Sequence, residues 1–294
     1  MEENIKNHIS CPLCEGQTIK RKFVMPNYSI YSCLICNAEF NADFPPKTSV
    51  RESFSKDYYM EVQKEAFADQ QSDYTQDPSY RVYLKGLRYI EGLIDGRKLL
   101  DVGAGVGAFL KTAHDSRWNV EGVEISPYGS KFIKNKYGFN VYSKSLSLLE
   151  LDDESYDVIT FWDSIEHMEL PKRQLMKAFR LLKKNGVLLL TSDNYKSLMS
   201  FLSRSIYYLS FGNITYPIER FFIPYNKTYF TYENMRDLLK EIGFEIVLFE
   251  KMQYPINKME LGSLEKFIVS VLYSVENLLN VQSQFTFIAR KRTD

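Results

Sequence analysis

The stretch Leu99-Leu100-Asp101-Val102-Gly103-Ala104-Gly105-Val106-Gly107-Ala108-Phe109-Leu110 decides the architecture. An apolar run carrying one acid gives way to three alternating glycines, and a helical pattern follows. That is the form of a strand, a tight turn and a helix in an open α/β sheet. Glycine lets the backbone turn sharply there and approach a ligand with no Cβ in the way. Further short apolar runs follow at 120–124, 139–142, 157–162 and 187–191, read as the second to fifth strands. Helical patterns separate them. Residues 79–94 precede the first strand. Ser126-Pro127 supplies an N-cap and first-turn proline to a helix that stops at Gly138. Pro171 opens another, with Leu175, Phe179 and Leu182 on one face and Asn185-Gly186 at its end. Thr231 caps a third, in which Met235, Leu238, Leu239 and Ile242 form a stripe before Gly243. Two alternating segments, 244–250 and 284–290, lie far apart at the end, so one is expected to run antiparallel at the sheet edge. The fold class is α/β, a doubly wound parallel sheet.

The glycine loop alone does not select a ligand, because Gly103-x-Gly105-x-x-Ala108 also satisfies the dinucleotide pattern. Glu124, ending the second strand, suits a ribose diol in either case. Two features discriminate. Asp101 lies inside the first strand, where a pyrophosphate would be poorly served and a cation well served. Trp162-Asp163-Ser164-Ile165-Glu166-His167 falls at the carboxyl end of the fourth strand, where open sheets place their ligands. S-adenosylmethionine (SAM), with an ammonium, a sulfonium and a ribose diol, fits both.

The segments LLDVGAGVGAFL, WNVEGVEIS, YDVITFWDSIEHM, AFRLLKKNGVLLLTSDN and KTYFTYENMRDLLKEIGFEI occur in that order. They resemble class I SAM-dependent methyltransferases, and more narrowly the bacterial group in which such a domain follows an N-terminal zinc ribbon. The resemblance covers most of residues 10–250. It implies a Rossmann-like seven-stranded sheet of order 3-2-1-4-5-7-6 with strand 7 antiparallel. It also implies that Asp101, Gly103 and Gly105 line the methionine and ribose portion of SAM, and that Glu124 accepts from the ribose hydroxyls. Ile125 would pack on adenine, Ser145 and Leu146 would form the adenine edge, and Asp73-Tyr74 would close over SAM from the N-terminal side. Ala104, Gly107, Ser126 and Trp162 complete the expected cofactor set. One departure stands out: where related sequences carry a His-Leu-x-x-Phe pattern, this chain reads Asn226-Lys227-Thr228-Tyr229-Phe230.

All four cysteines lie early, as Cys11-Pro-Leu-Cys14 and Cys33-Leu-Ile-Cys36. This C-x2-C-x18-C-x2-C spacing falls in the range read as a tetrahedral zinc site. Four thiolates leave no open position for water, so the expected Zn²⁺ is structural. Two disulfides are the alternative, disfavoured because the polar, acid-containing start does not read as an export signal. No apolar run approaches the ~20 residues of a membrane span, and a cytoplasmic location is expected. The expected domains are a zinc ribbon over 1–45 and a methyltransferase domain over 46–294. Within the latter, 80–195 form the SAM-binding core, and 196–230 and 255–281 form acceptor lid and inserts.

Lys+Arg and Asp+Glu each number 37, which speaks against a basic face for nucleic acid. Lys20-Arg21-Lys22 is the patch to suspect, but residues 1–50 balance five bases with five acids. Of the three histidines, His8 and His114 read as surface residues, and His167 alone falls at the expected catalytic edge. A hydroxyl acceptor profits from a base near neutrality, so His167 is the expected general base, with Asp163 orienting or replacing it. The plainer reading is that Glu166-His167 caps the loop and shapes the pocket. No Asn/Asp-Pro-Pro-Tyr motif follows the fourth strand, which lowers the case for nucleobase N-methylation. Ten aromatics crowd residues 207–232, read as an acceptor lid over a partly buried patch. The 264–279 segment places Leu264, Phe267, Ile268, Val271, Leu272, Val275, Leu278 and Leu279 on one helical face. That face is expected to pack onto the lid, with dimerisation or a lipid surface left open. The expected activity is methyl transfer to a small molecule or glycan at oxygen, the glycan resting on analogy with the resembling group. An RNA methyltransferase and a non-catalytic SAM-binding protein are the alternatives.

Overall fold

A computed structural model describes residues 9–43, 73–76, 79–254, 256 and 262–292. The Phe44-Pro45-Pro46 boundary of the ribbon and His8 lie outside the described residues. The chain begins with three short strands, β1 (Ile19–Val24), β2 (Ser29–Cys33) and β3 (Glu39–Asn41). The alternating layers follow as α1 (Tyr80–Glu91), β4 (Lys98–Val102), α2 (Ala108–Asp115), β5 (Asn119–Val123), α3 (Pro127–Tyr137) and β6 (Asn140–Tyr142). They continue through β7 (Tyr156–Trp162), α4 (Pro171–Leu181) and β8 (Leu182–Asp193). Next come α5 (Leu198–Leu209), α6 (Tyr216–Phe221), β9 (Thr228–Tyr229) and α7 (Tyr232–Ile242). The chain closes with β10 (Phe244–Met252), α8 (Ser263–Leu279) and β11 (Gln284–Lys291).

The central sheet has seven strands in the order β10-β11-β8-β7-β4-β5-β6. Counted from β4 as strand 1, this is 3-2-1-4-5-7-6. β6, β5, β4, β7 and β8 run parallel, and β11 runs antiparallel to both β8 and β10. The antiparallel strand, β11, therefore lies inside the sheet and not at its edge, where the wide separation of the last two segments placed it. Positions 284–289 of β11 are buried on both faces, whereas β10, the edge strand, alternates. One apolar layer on the sheet gathers Leu100, Val102, Ile159, Phe161, Leu175, Leu188 and Leu190; the opposite layer gathers Leu99, Leu110, Val120, Val158, Val187 and Leu189.

Local chemistry sets the helix ends. The Ser126 hydroxyl accepts from Gly129 N–H at 3.2 Å ahead of Pro127, and Gly138 ends α3 at φ +73°. Thr231 and Asn234 form a reciprocal capping box on α7. α4 ends four residues before the predicted Asn185-Gly186 stop. Leu182 already pairs with Tyr156 of β7, and Asn185 takes φ +60° within the extended chain. A tertiary strand pairing overrides the helical stripe there.

The first three strands form a second, antiparallel sheet completed by β9, in the order β1-β2-β3-β9. Glu39 stands opposite Tyr229 and Phe40 opposite Thr228. Phe23, Met25, Tyr28 and Ile30 pack there on Tyr195, Ile218, Phe222 and Tyr229. The aromatic-rich segment is thus in part the floor on which the N-terminal strands rest; Phe211 and Tyr216 remain exposed.

α8 forms where its pattern placed it, but it seats on another face. Val269, Tyr273 and Glu276 are its buried positions, while Leu264, Phe267, Ile268, Val271, Val275, Leu278 and Leu279 are exposed. Polar anchors explain this. Tyr273 donates to Tyr254 O at 3.0 Å, and Glu276 accepts from Met199 N–H at 3.3 Å. Among the described residues no helix is long and apolar enough to cross a membrane.

Candidate active site

At the carboxyl end of β4 the chain turns through Gly103, Gly105 and Gly107, at φ +83°, +58° and +89°. A Cβ on Gly103 would lie 2.4 Å from that of Ser164, so packing as well as φ demands glycine. A Cβ on Gly105 would meet nothing within 4 Å, so the loop faces open space there. Glu124 holds the loop from β5: Oε2 accepts from Gly105 N–H at 2.8 Å and Oε1 from Ser126 N–H at 2.7 Å. Asp101 is 2% exposed and accepts from the Thr160 hydroxyl at 2.7 Å. Burial raises both carboxyls to about 7, and the Glu124 charge adds to the effect on Asp101. Two buried acids, neither ion-paired among the described residues, therefore flank an open glycine turn. Ala104 is buried in the same loop.

The remaining cofactor candidates divide. Ile125 is half-buried beside Glu124. Ser145 and buried Leu146 form the turn after β6, held by a residue the sequence reading missed. Gln174 of α4 donates to the Ser145 and Ser147 hydroxyls at 2.8 and 3.1 Å and accepts from Ser147 N–H at 3.0 Å. Trp162 packs its ring between Tyr83 and Phe109, at 5.0 and 5.1 Å, and its buried indole N–H has no hydrogen-bond partner among the described residues. Tyr74 is not brought to this group. Its hydroxyl donates to Asp115 at the far end of α2, under the Lys111 ammonium.

The end of β7 supplies the other side of the crevice. Ser164, also missed, donates to Val102 O at 2.7 Å and ties this turn to the glycine loop. Asp163 takes φ +44°; its N–H donates to the Thr191 hydroxyl at 3.0 Å, and its Oδ1 accepts from that hydroxyl at 2.9 Å. Glu166 is 2% exposed; the Ser192 hydroxyl faces its carboxylate, and among the described residues Oε2 completes no hydrogen bond. Burial, then the charges of Asp163 and Asp193, push its carboxyl well above the usual range. Burial and Asp163 raise Asp193 to about 7. His167 behaves differently. Burial lowers its pKa to about 4, and Nδ1 lies 3.1 Å from Tyr225 O, which makes Nδ1 the protonated nitrogen of a neutral ring. Asn226, 1% exposed, donates Nδ2 to the Tyr195 hydroxyl at 2.8 Å, and its side chain also meets His167. His114 is a surface residue beside Asp115, as expected.

The four cysteine sulfurs lie within 4.8 Å of one another, the one such metal-competent group among the described residues. Cys11 and Cys36 are 3.5 Å apart, as are Cys14 and Cys33, and all four are free thiols. Two matching turns present them. Glu15 and Asn37 each take φ +57°, Leu13 N–H points to Cys11 Sγ and Ile35 N–H to Cys33 Sγ, both at 3.4 Å. Sulfurs on a tetrahedron of ~2.3 Å bonds would stand a little under 4 Å apart, so this cradle fits Zn²⁺.

Fold and crevice together define a class I SAM-dependent methyltransferase. The family described as methyltransferase domain matches residues 75–248, more than half of the chain, and the chain belongs to it. An uncharacterised protein of Methanocaldococcus jannaschii is 29% identical over 210 residues, 67% of this chain and 77% of that protein. A ubiquinone biosynthesis O-methyltransferase of Coxiella burnetii is 29% identical over 115 residues, 37% of this chain and about half (49%) of that enzyme. A SAM-dependent methyltransferase structure from Archaeoglobus fulgidus shares the fold, with a TM-score of 0.52 and 21% identity over 76% of this chain and all of that one. SAM is the cofactor expected of this family.

Proposed function

We propose that the chain transfers the SAM methyl group to a hydroxyl of a small molecule or glycan. The observation that carries this reading is the buried Glu166 beside Asp163 and Asp193, whose Oε2 completes no hydrogen bond among the described residues. A buried acceptor without a donor favours a ligand that donates a hydrogen bond, because leaving it unmet costs roughly 1–3 kcal/mol. The likeness to an O-methyltransferase over part of the chain and the zero net charge agree with this.

SAM supplies an activated methyl group on a cationic sulfur. Asp101 would attract its ammonium, Glu124 would accept from its ribose, and the Ser145–Leu146 turn with Ile125 would flank adenine. Transfer of that methyl to the acceptor oxygen would break the carbon–sulfur bond and leave its electron pair on sulfur. The hydroxyl proton then needs a base. A His167 ring with a pKa of about 4 is a weak one, so Glu166, whose carboxyl is made more basic by burial and by the charges of Asp163 and Asp193, takes the proton in its ionised form in this reading. Asp163 lies alongside, and His167 shapes the wall. Zn²⁺ on Cys11, Cys14, Cys33 and Cys36 is structural in this reading.

Incubating the protein and labelled SAM with a metabolite extract, then applying mass spectrometry, tests the assignment. A gain of about 14 mass units on a hydroxylated metabolite supports it. Label appearing only in RNA would overturn it.

A further inference from the structure

The turn between α6 and β9 is clamped at both ends by one residue of the N-terminal sheet. Asn41, in β3, is 0% exposed. Its side-chain Nδ2 donates to Pro224 O at 3.0 Å and its backbone N–H donates to Lys227 O at 3.0 Å. Its own Oδ1 is occupied by Asp43 N–H at 3.0 Å, which fixes the amide's orientation.

The two residues between the clamp points, and Lys227 itself, each reach a different group beside the end of β7. Tyr225 O receives His167 Nδ1 at 3.1 Å, Asn226 Nδ2 donates to the Tyr195 hydroxyl at 2.8 Å, and Lys227 N–H donates to Glu166 O at 2.7 Å. Lys227 is thereby fixed next to Glu166, whose Oε2 completes no hydrogen bond among the described residues, and Asn226 next to His167. Arg204 braces the same union: it grips Glu39 with two 2.8 Å bonds and lies over the Phe222 ring at 4.9 Å.

We infer that Asn41 is a positioning residue of the acceptor site, setting the placement of Glu166, His167 and Asn226 through the 224–227 turn. The N-terminal sheet then acts on acceptor recognition and leaves the glycine loop, which it does not touch through this turn, to bind SAM alone. This rests on the reading of that side of the crevice as the acceptor side. Placement to within ~0.5 Å is what a reacting constellation needs, and a buried amide clamp supplies it.

The test uses the full-length, zinc-loaded protein and the variants N41D and N41S. N41D keeps the shape and loses the donor to Pro224; N41S returns a short donor. In N41D, exchange of the Lys227 amide should quicken at least tenfold, and the His167 ring resonances, resolvable among three histidines, should shift. Zinc content should stay unchanged and SAM affinity should hold within about twofold, with N41S recovering part of the protection. Label transfer from SAM to the extract acceptor should fall about tenfold or more in N41D. Unchanged Lys227 exchange and His167 signals in N41D would overturn the inference. So would exchange rising equally through β4 and β7, which would make Asn41 a contributor to general stability. If wild-type protein ignores SAM while the N41D exchange pattern appears, the methyltransferase reading fails and the clamp stands.

Discussion

Asp101 and Glu124 are acids kept near neutrality by burial, and that determines how the crevice should respond to pH. With both carboxyls at about 7 in the free protein, a bound cation favours their ionised forms and draws protons off. SAM affinity should therefore rise as pH climbs from 6 to 8 and level off above. On the acceptor side the two neighbours separate by charge. E166Q should cut methyl transfer by roughly 10²–10⁴-fold with SAM affinity retained, while H167A should cost much less; steady-state rates with the identified acceptor, beside calorimetry with SAM, check both. The alternation of glycines and the acid ahead of them were legible in the chain because strand, turn and helix are contiguous there. Glu166 was harder to rank. Whether Glu166 or His167 is the stronger base depends on burial and on Asp193, which comes from another strand.

α4 shows how one helix serves two purposes. Leu175, Ala178 and Leu181 hold it to the sheet, and Gln174 on the same buried side pins the 145–147 turn. Q174A should loosen that turn and weaken SAM binding several-fold, by roughly 1 kcal/mol for each lost hydrogen bond, with little change in melting temperature. Periodicity found this helix but not its end, because Leu182 is claimed by Tyr156 across the sheet. It likewise found α8 but not its seat. An apolar stripe reports surface that could be buried, whereas Tyr273 and Glu276 anchor the helix through polar atoms. Strand order followed the resemblance, and β11 lies inside the sheet because both of its faces are covered.

The union of the N-terminal sheet with the rest of the molecule left almost no trace in the sequence. β9 is two residues long, too short for any period, and its partner β3 comes far earlier in the chain. Yet Cys11, Cys33, Ala38 and Phe40 join the same apolar cluster as Leu100 and Phe161. Metal release should therefore reach beyond the ribbon. We expect one zinc per chain by elemental analysis. C33S should lose it and expose the Thr228–Tyr229 amides to exchange, while β4 and β5 stay protected; protection of β9 without zinc would argue against a metal-held ribbon.

Calorimetric titration with SAM at pH 6 and pH 8, on the wild type and on D101N, tests the crevice most directly. We predict one SAM bound per chain, tighter at pH 8 than at pH 6, and roughly tenfold or greater weakening in D101N. No heat with SAM, alongside saturable uptake of a nicotinamide dinucleotide, would contradict the account.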